Sequence, residues 1–410
     1  MANRVFTLLV LAALAATAAL AQDRWVATWA AAQQQPGNPA PPPGAQPAPP
    51  ANGGGRGPAA PTSFHNQTIR MIVRSSALGG QKLRLQLSNT YGTAPLAVGA
   101  VHVARHTKDS EITAGTDRPV TFSGKTAFSI PPGAVMVSDA VELLVPALAE
   151  LAVSVYIPED SGPLTRHGLS LRPTYVSKDG DFTSSGAIPD ATIMQGWSWL
   201  SEIDVLASGK ASALVTFGDS ITDGARSTAE TDHSWPYILA QRLAANKGTA
   251  NVGLANEGIA GNRILVDGVG TNALGRFDRD AISVAGVKWL TLLEGINDLG
   301  RGANADDVIA GLRQMIERAH THGIRVIGCT ITPFEGANYY TEQGEQARAA
   351  VNQWIRDGKA FDAVVDFDAA TRDAAETKKI RAEFDSGDHL HPNDAGYKAM
   401  AEAVDLRLFR

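Results

Sequence analysis

Residues 213–222 read Ala213-Leu214-Val215-Thr216-Phe217-Gly218-Asp219-Ser220-Ile221-Thr222, and this stretch decides the fold of the second half of the chain. Its first part is a short apolar run of the kind that forms a buried strand. A tight polar turn, Gly218-Asp219-Ser220, follows at once, and the conformational freedom of Gly218 permits it. From here to the C-terminus strand-like runs alternate with helical ones, which predicts a parallel sheet with helices on both faces.

The alternation repeats along residues 208–410. Strands are predicted at Lys288–Leu293, around Cys329 and at Ala363–Asp366. Helices are predicted to begin after Ser234, whose side chain can cap the helix, and at Asn304, with Gly248 and Gly323 beyond their ends. Two further helices are predicted over about Gly344–Lys359 and Asp394–Leu406. Active sites in such sheets lie at the carboxyl ends of the strands.

The preceding part of the chain, from about Trp25 to Ala187, looks all-β. Lys82–Ser88 alternates between polar and apolar residues, as a half-buried strand does, and Leu151–Ile157 is similar. Turn signals such as Pro131-Pro132-Gly133 separate the runs. We therefore predict an all-β sandwich or jelly-roll-like domain over residues 22–207, followed by a catalytic α/β domain over residues 208–410.

Residues 36–61 contain 10 of the 22 prolines and almost no large apolar side chain. Such a stretch buries too little surface to offset its ordering entropy, so we predict a disordered insertion within the β domain.

The N-terminal residues resemble a signal peptide. Arg4 precedes an apolar, Ala-rich run from Val5 to Leu20, and Ala19-Leu20-Ala21 is a small-x-small cleavage pattern. We expect residues 1–21 to be removed and the protein to be secreted or periplasmic, without stable membrane insertion. An uncleaved anchor is the alternative, but the apolar run is short for a membrane span.

Charge and cysteine content narrow the choice of partners. The formal net charge is -6, and no Lys/Arg cluster forms a basic stripe, so we expect no nucleic-acid partner. The single cysteine, Cys329, lies in a buried-strand pattern and is expected to be inert. The oligomeric state stays open.

Three motifs that carry chemistry follow predicted strands or precede the last helix. Ser220, directly after the first strand of the α/β region, is a nucleophile or, alternatively, part of a helix cap. Asn297, in Gly295-Ile296-Asn297-Asp298, offers an amide N–H to a developing oxyanion, with a cap or turn as the alternative.

The third motif is Asp388-His389-Leu390-His391-Pro392. Asp388 and His391, three residues apart, can meet within one turn, so that Asp388 orients His391 as a general base. His389 and His391 also suggest metal ligands, but no third ligand stands at a suitable spacing, so the metal reading is the weaker one. A nucleophile, an amide donor and an Asp–His base at one sheet edge are what acyl transfer requires.

With these motifs, residues 210–408 resemble the SGNH, or GDSL, hydrolase superfamily. The resemblance implies a flavodoxin-like three-layer α/β/α fold, neither metal nor organic cofactor, Ser220, Asp388 and His391 as catalytic residues, and an oxyanion hole of Ser220, Gly261 and Asn297. The glycine of the family's second block is placed at Gly261, with Gly258 as its rival.

A narrower resemblance is to the XynE-like branch, associated with arylesterases and acylhydrolases linked to xylan degradation. It rests on Leu293–Asp298, Thr332–Gly336, Asp366–Asp368, Asp385–Pro392 and, in the β region, Trp25–Trp29 and Leu87–Leu96. This resemblance favours short acyl or acetyl esters, on a small molecule or a polysaccharide, as substrates.

Two other functions remain open at this point. One is a lipid acylhydrolase (lysophospholipase) or thioesterase. The other is a carbohydrate-binding protein with a dead hydrolase domain, although no key position is lost. Trp25, Trp29, Trp197 and Trp199 are candidates for stacking on sugars, but core packing is the preferred interpretation for most of them.

Overall fold

The computed structural model describes residues 23–35 and 61–410. The predicted signal peptide, residues 1–21, lies outside the described residues. So does the predicted insertion, residues 36–61, apart from its last residue.

The first half of the described chain is made of strands, as predicted. They are β1 (Arg24–Ala30), β2 (Gln67–Arg74), β3 (Gly80–Ser88), β4 (Leu96–Val98), β5 (Ala100–Lys108), β6 (Glu111–Ile112), β7 (Arg118–Pro119), β8 (Phe128–Ile130), β9 (Val135–Val137), β10 (Val141–Val145), β11 (Glu150–Ile157), β12 (Arg166–His167), β13 (Pro173–Asp179), β14 (Thr192–Gln195), β15 (Trp197–Ser198) and β16 (Leu200–Ala207).

Two large antiparallel sheets form most of this β domain, and β12 with β15 and β4 with β8 form two further two-stranded sheets. Of the two large sheets, the smaller has the order β1-β16-β3-β10 with β9 also paired to β3, and the larger has the order β14-β13-β2-β11-β5-β6 with β7 paired to β5. Leu85 of β3 and Met71 of β2 belong to one buried cluster, so the two sheets face each other across a shared core. This is the layer arrangement of a β-sandwich.

The predicted alternation along β3 is confirmed. Leu83, Leu85 and Leu87 are fully buried, whereas Arg84 and Gln86 between them are partly exposed. β11 differs from its prediction because it is buried on both faces along most of its length. It lies inside the larger sheet, and Tyr175 and Ile188 form a small second core with Ala152 on the outer face.

The second half of the chain is an α/β fold. Its strands are β17 (Ser212–Gly218), β18 (Val252–Gly258), β19 (Val287–Leu293), β20 (Arg325–Cys329) and β21 (Ala363–Val365). They form one parallel sheet in the order β18-β17-β19-β20-β21. This order is that of flavodoxin-like sheets.

Helices cover both faces of this sheet. They are α1 (Ser220–Asp223), α2 (Trp235–Ala245), α3 (Ala273–Phe277), α4 (Ile296–Leu299), α5 (Ala305–Thr321), α6 (Glu342–Asp357), α7 (Phe367–Thr371) and α8 (Asp394–Ala403), with a π-helical turn at Asp278–Ile282 and 3₁₀ turns at Ala382–Phe384 and Leu406–Phe409. α2 and α8 pack in one buried cluster, whereas α5 and α6 pack in the other, so the layers are α/β/α.

The predicted helix starts are correct in position. Asn304 caps α5 by accepting a hydrogen bond from the Asp307 N–H at 2.9 Å. Ser234 occupies the N-cap position of α2, but its hydroxyl makes no cap hydrogen bond, so the capping role expected of this side chain is wrong. No helix in the described residues is both long and apolar enough to cross a bilayer.

The β domain packs on the open edge of the parallel sheet, along β18. The Leu254 N–H of β18 donates to Ser76 Oγ at 2.8 Å, and the Ala27 N–H of β1 donates to the Ala285 carbonyl at 2.9 Å. The backbones are so close that a Cβ on Gly253 would lie 2.0 Å from the Ala27 carbonyl oxygen. Only glycine fits there.

Candidate active site

Three of the predicted site residues follow neighbouring strands of the parallel sheet. Ser220 comes after β17, Gly261 after β18 and Asn297 after β19. Because β18, β17 and β19 are adjacent and parallel, their carboxyl ends meet at one edge. Asp388 and His391 reach the same edge from the loop before α8.

A tight packing contact fixes the turn that carries Ser220. A Cβ on Gly218 would lie 2.2 Å from Thr222 Oγ1 and 2.5 Å from the Leu293 carbonyl oxygen. Glycine is therefore required by the close approach of β19 and α1. The sequence correctly singled out Gly218, but the reason is this contact.

Ser220 is the first residue of α1. Asp219 caps this short helix, since its Oδ1 accepts a hydrogen bond from the Ile221 N–H at 2.9 Å. Burial raises the pKa of Asp219 to about 7, against the opposing effect of that hydrogen bond. The Ser220 N–H has no acceptor within the described chain and is free to bind a ligand oxygen.

Ser220, His391 and Asp388 form a continuous chain of hydrogen bonds. Ser220 Oγ lies 2.8 Å from His391 Nε2, and His391 Nδ1 lies 2.8 Å from Asp388 Oδ2. Asp388 Oδ1 accepts from the backbone N–H groups of Leu390 at 3.1 Å and His391 at 2.9 Å. The backbone of this loop thus fixes the Asp388 carboxylate, which in turn orients the His391 ring.

The charge of Asp388 is well stabilised. Burial alone raises the pKa of this carboxyl, but the His391 ring and the backbone N–H groups outweigh burial and hold the pKa well below its usual range. Arg226 Nε also donates to Asp388 Oδ2 at 3.1 Å. Asp388 is therefore an anion across the neutral and mildly acidic range, and it stabilises a protonated imidazole beside it.

The loop after β18 makes a β-turn from Ile259 to Asn262. The Asn262 N–H donates to the Ile259 carbonyl at 3.0 Å, and Gly261 has φ +80°, as the third residue of a type II turn requires. Within the described residues the Gly261 N–H has no acceptor. The rival, Gly258, donates its N–H to Asn256 Oδ1 at 3.0 Å, so the geometry favours Gly261 as the donor.

Asn297 presents an unpaired donor. Its side chain is buried, and its Nδ2 has no hydrogen-bond partner among the described residues. The other end of the amide is held, because Oδ1 accepts from Tyr339 Oη at 3.4 Å and from Arg301 Nη1 at 3.3 Å. Burial raises the pKa of Tyr339, which keeps its phenol protonated as a donor.

Asp298, the next residue, ties two loops of this edge together. Its Oδ2 accepts from the Ile264 N–H at 2.8 Å, and its Oδ1 accepts from the Leu265 N–H at 3.1 Å. The segment that follows Gly261 is thereby fixed to the helix that carries Asn297. This contact gives Asp298, the aspartate of the Gly295–Asp298 motif, a structural role.

Arg276 is a buried residue that the sequence motifs did not reveal. Its guanidinium donates to the Gly218 carbonyl at 2.9 Å, to the Glu257 carbonyl at 2.8 Å and to Asn262 Oδ1 at 2.8 Å. These three acceptors belong to the ends of β17 and β18 and to the turn at Gly261. Arg276 therefore links the backbone segments that carry Ser220 and Gly261. Its three acceptors are distant in sequence and come together only in the folded chain.

Other polar residues considered in the sequence lie apart from this chain of hydrogen bonds. His389 is exposed, and its Nδ1 lies 2.5 Å from Asp385 Oδ2. Cys329 is buried, which raises the pKa of its thiol. No group of three or more His, Cys, Asp or Glu side chains in residues 23–35 and 61–410 is placed to hold a metal ion.

The tryptophans are packing residues in three of the four cases. Trp29, Trp197 and Trp199 are buried in the core, as preferred from the sequence. Trp25 is half-buried, with the Arg84 guanidinium 4.9 Å from its ring centroid.

At the carboxyl edge of the parallel sheet, a serine, a histidine and an aspartate are joined by hydrogen bonds. Residues 216–399 match the GDSL-like lipase/acylhydrolase family, so this part of the chain is an acylhydrolase domain of that family. The XynE-like branch remains a resemblance. No curated protein matches the chain.

Several solved structures are similar to part of the chain. A member of the lipolytic protein G-D-S-L family from Veillonella parvula is 25% identical, over 47% of this chain and 96% of that one, with a TM-score of 0.37. The acetylxylan esterase Axe2 from Geobacillus stearothermophilus is 22% identical, over 48% and 95%, also with a TM-score of 0.37. LAE5, an alpha/beta hydrolase enzyme from the metagenome of Lake Arreo, is 20% identical, over 47% and 92%, with a TM-score of 0.38. At these TM-scores the likenesses say nothing about this chain's substrate.

Proposed function

We propose that the chain is a serine esterase that hydrolyses carboxylic esters through an acyl-enzyme on Ser220. The observation that carries this proposal is the chain Ser220 Oγ–His391 Nε2–Asp388, with both contacts at 2.8 Å. It lies beside three donors without acceptors in the described chain: Asn297 Nδ2 and the N–H groups of Ser220 and Gly261. A nucleophile with its base and an unfilled set of donors is the arrangement for acyl transfer.

The first half-reaction forms the acyl-enzyme. His391 Nε2 takes the Ser220 proton while Oγ attacks the ester carbonyl carbon, and Asp388 stabilises the imidazolium that results. The carbonyl oxygen becomes an oxyanion bound by Asn297 Nδ2 and the two backbone N–H groups. When the intermediate collapses, the bond to the alkoxy oxygen breaks, and His391 gives its proton to the departing alcohol.

The second half-reaction releases the acid. His391 removes a proton from water, which attacks the acyl carbon and forms a second oxyanion in the same site. Collapse then breaks the bond to Ser220 Oγ, and His391 returns the proton to the serine. The enzyme ends as it began, having used one ester and one water.

The preferred substrates are esters of short acyl groups, including acetyl groups on small alcohols or polysaccharides. This preference rests on the resemblance to the XynE-like branch. The predicted signal peptide supports action outside the cytoplasm, in the periplasm or the medium. Lipid acylhydrolase or thioesterase activity is the competing outcome of a substrate screen with aryl acetates, acetylated xylan, phospholipids and acyl thioesters.

The decisive variant is Ser220→Ala, assayed with p-nitrophenyl acetate. We expect kcat to fall by roughly 10⁵- to 10⁶-fold, because the nucleophile and its base act as a unit. A fluorophosphonate should modify the wild-type protein at Ser220, seen by peptide mass spectrometry. The matched control is Ser208→Ala, an exposed serine before β17, which should keep full activity. A folded Ser220→Ala protein with wild-type kcat would overturn the proposal.

A further inference from the structure

A second histidine–aspartate pair lies at the C-terminal end of α1, between the two domains. His167 belongs to β12 of the β domain, and its Nε2 lies 3.0 Å from Oδ1 of Asp223. Asp223 is the last residue of α1, three positions after Ser220. Both side chains are almost fully buried, with 3% and 4% of their surfaces exposed.

Each nitrogen of the His167 ring faces an acceptor. Nδ1 lies 2.9 Å from the Ala32 carbonyl oxygen, and Nε2 lies 2.9 Å from the Leu169 carbonyl oxygen as well as near Asp223. A backbone carbonyl cannot donate, and neither can an ionised carboxylate, so beside an ionised Asp223 both nitrogens carry hydrogen and the ring is an imidazolium. The ring also stacks on Trp197, with centroids 5.5 Å apart, so its orientation is fixed by the β-domain core.

The charge on His167 agrees with its surroundings. Burial lowers the pKa of this imidazole, but the Asp223 carboxylate and the two carbonyls outweigh burial and raise the pKa above its usual value. A buried ion pair of this kind persists only with its hydrogen bonds made, and here both nitrogens are satisfied.

The second oxygen of Asp223 reaches the turn at the active site. Asp223 Oδ2 accepts from the Ala260 N–H at 2.8 Å. Ala260 is the second residue of the Ile259–Asn262 turn and directly precedes Gly261. The end of β18 is pressed on the same helix, since a Cβ on Gly258 would lie 2.3 Å from the Asp223 nitrogen. Asp223 therefore fixes the backbone from which the Gly261 N–H projects.

We propose that His167 is a positioning residue for the hydrolysis, which acts through Asp223 to hold the Ala260–Gly261 turn, so that the β domain orients the Gly261 N–H of the oxyanion hole. This role rests on the proposed esterase function. The contact chain runs from the β-domain core through His167 and Asp223 to the Ala260 N–H. It gives the N-terminal half of the chain a task in the reaction that needs no contact with substrate.

The test is the split between kcat and KM for His167→Ala on p-nitrophenyl acetate. A displaced oxyanion donor weakens the transition state but not the ground state, so kcat should fall by about 10- to 10²-fold while KM changes less than about twofold. His167→Gln keeps a donor toward Asp223 and should recover part of the lost kcat. Near-UV circular dichroism and Tm establish that each variant is folded.

A matched control is His102→Ala, since His102 forms another β-domain pair, with Nδ1 2.9 Å from Asp117 Oδ2. It should leave kcat unchanged. If His167→Ala does not fold, the same question is put to Asp223→Asn, alone and combined with His167→Gln. When His167 acts through Asp223, the double variant loses little more kcat than Asp223→Asn alone. Fold-losses that multiply overturn the proposal.

The outcomes separate this role from the esterase function itself. A folded Ser220→Ala protein with wild-type activity defeats both. If Ser220→Ala is inactive while folded His167→Ala keeps wild-type kcat, the esterase stands and the positioning role fails. An increase in KM with unchanged kcat assigns His167 to substrate binding and also overturns the positioning role.

Discussion

Two histidine–aspartate pairs flank the short helix α1, and they differ in what the histidine faces. His391 and Asp388 keep 16% and 26% of their side-chain surfaces exposed, whereas His167 and Asp223 keep 3% and 4%. The His391 Nε2 faces Ser220 Oγ, a hydroxyl that both donates and accepts. The His167 Nε2 faces a carboxylate and a carbonyl, which only accept.

This difference separates a general base, His391, from a charged structural residue, His167, which is called a strut below. A histidine that faces a hydroxyl can gain and lose its proton while keeping a hydrogen bond, as general acid–base catalysis demands. A histidine enclosed by acceptors loses a hydrogen bond whenever it loses its proton, so its charged form is favoured. The same residue pair thus supports different roles, and the groups that the histidine nitrogen faces decide which one.

Removing the base should have the largest effect. We expect His391→Ala to lower kcat on p-nitrophenyl acetate by about 10⁵-fold, close to the loss in Ser220→Ala, because the two groups act together. The loss should exceed that in His167→Ala by at least about 10³-fold. Steady-state kinetics with Tm as a folding check measure it. Equal losses in the two histidine variants would erase the distinction between base and strut.

The second-largest effect is expected from removing the side-chain donor of the proposed oxyanion hole, Asn297. Asn297→Ala removes an amide that neither histidine pair holds, and kcat should fall by about 10²–10³-fold. Asn251→Ala is the matched control, because Asn251 precedes β18 at the opposite edge of the sheet. A loss below about threefold for Asn297→Ala would remove Asn297 from the oxyanion hole.

The buried pair should also leave a signature in stability. A raised pKa of His167 in the folded state adds stability that is fully present below the unfolded-state pKa of about 6.5 and disappears as pH rises through the folded-state pKa. The gap in unfolding free energy between wild type and His167→Gln should therefore narrow with rising pH, by at most about 1.4 kcal/mol per pH unit. Urea titrations above neutral pH measure it. A gap that is constant or widens would contradict a charged strut.

The smallest effect is expected at the other histidine of the last motif. His389 is exposed and bonded to Asp385, away from Ser220. His389→Ala should change kcat/KM by less than about threefold, in line with the small worth of an exposed pair. A loss as large as that in His391→Ala would reverse the choice of base.

Much of the fold and the central site residues could be read from the sequence. The apolar runs that end at Gly218 and before Gly295 predicted strands. The polar residues that follow them lie at one edge of the sheet, because parallel strands align their carboxyl ends. Ser220 and Asn297 share the edge for this reason, whereas His391, 171 positions from Ser220, reaches it from the loop before α8. The sequence did not decide between Gly261 and Gly258, because the choice depends on the φ of Gly261 and on its N–H having no acceptor in the described residues.

The supporting residues could not be read, for a physical reason. Arg276, His167 and Tyr339 act through hydrogen bonds to groups distant in the chain, and such bonds impose no periodic pattern on the sequence around them. His167 stands between Arg166 and Gly168 in a stretch without any motif. The packing of two domains, which no local propensity encodes, decides its role.

The contact between Gly253 and Ala27 has a consequence for solubility. β18 is the outermost strand of the parallel sheet, and the β domain occupies its open side through the Ala27 carbonyl and Ser76 Oγ. A polypeptide that began at residue 208 would expose that row of backbone groups to other chains, which is the usual route to edge-to-edge aggregation. The N-terminal half therefore also covers the edge of the sheet, and removing it would leave the α/β domain with an exposed, aggregation-prone edge strand.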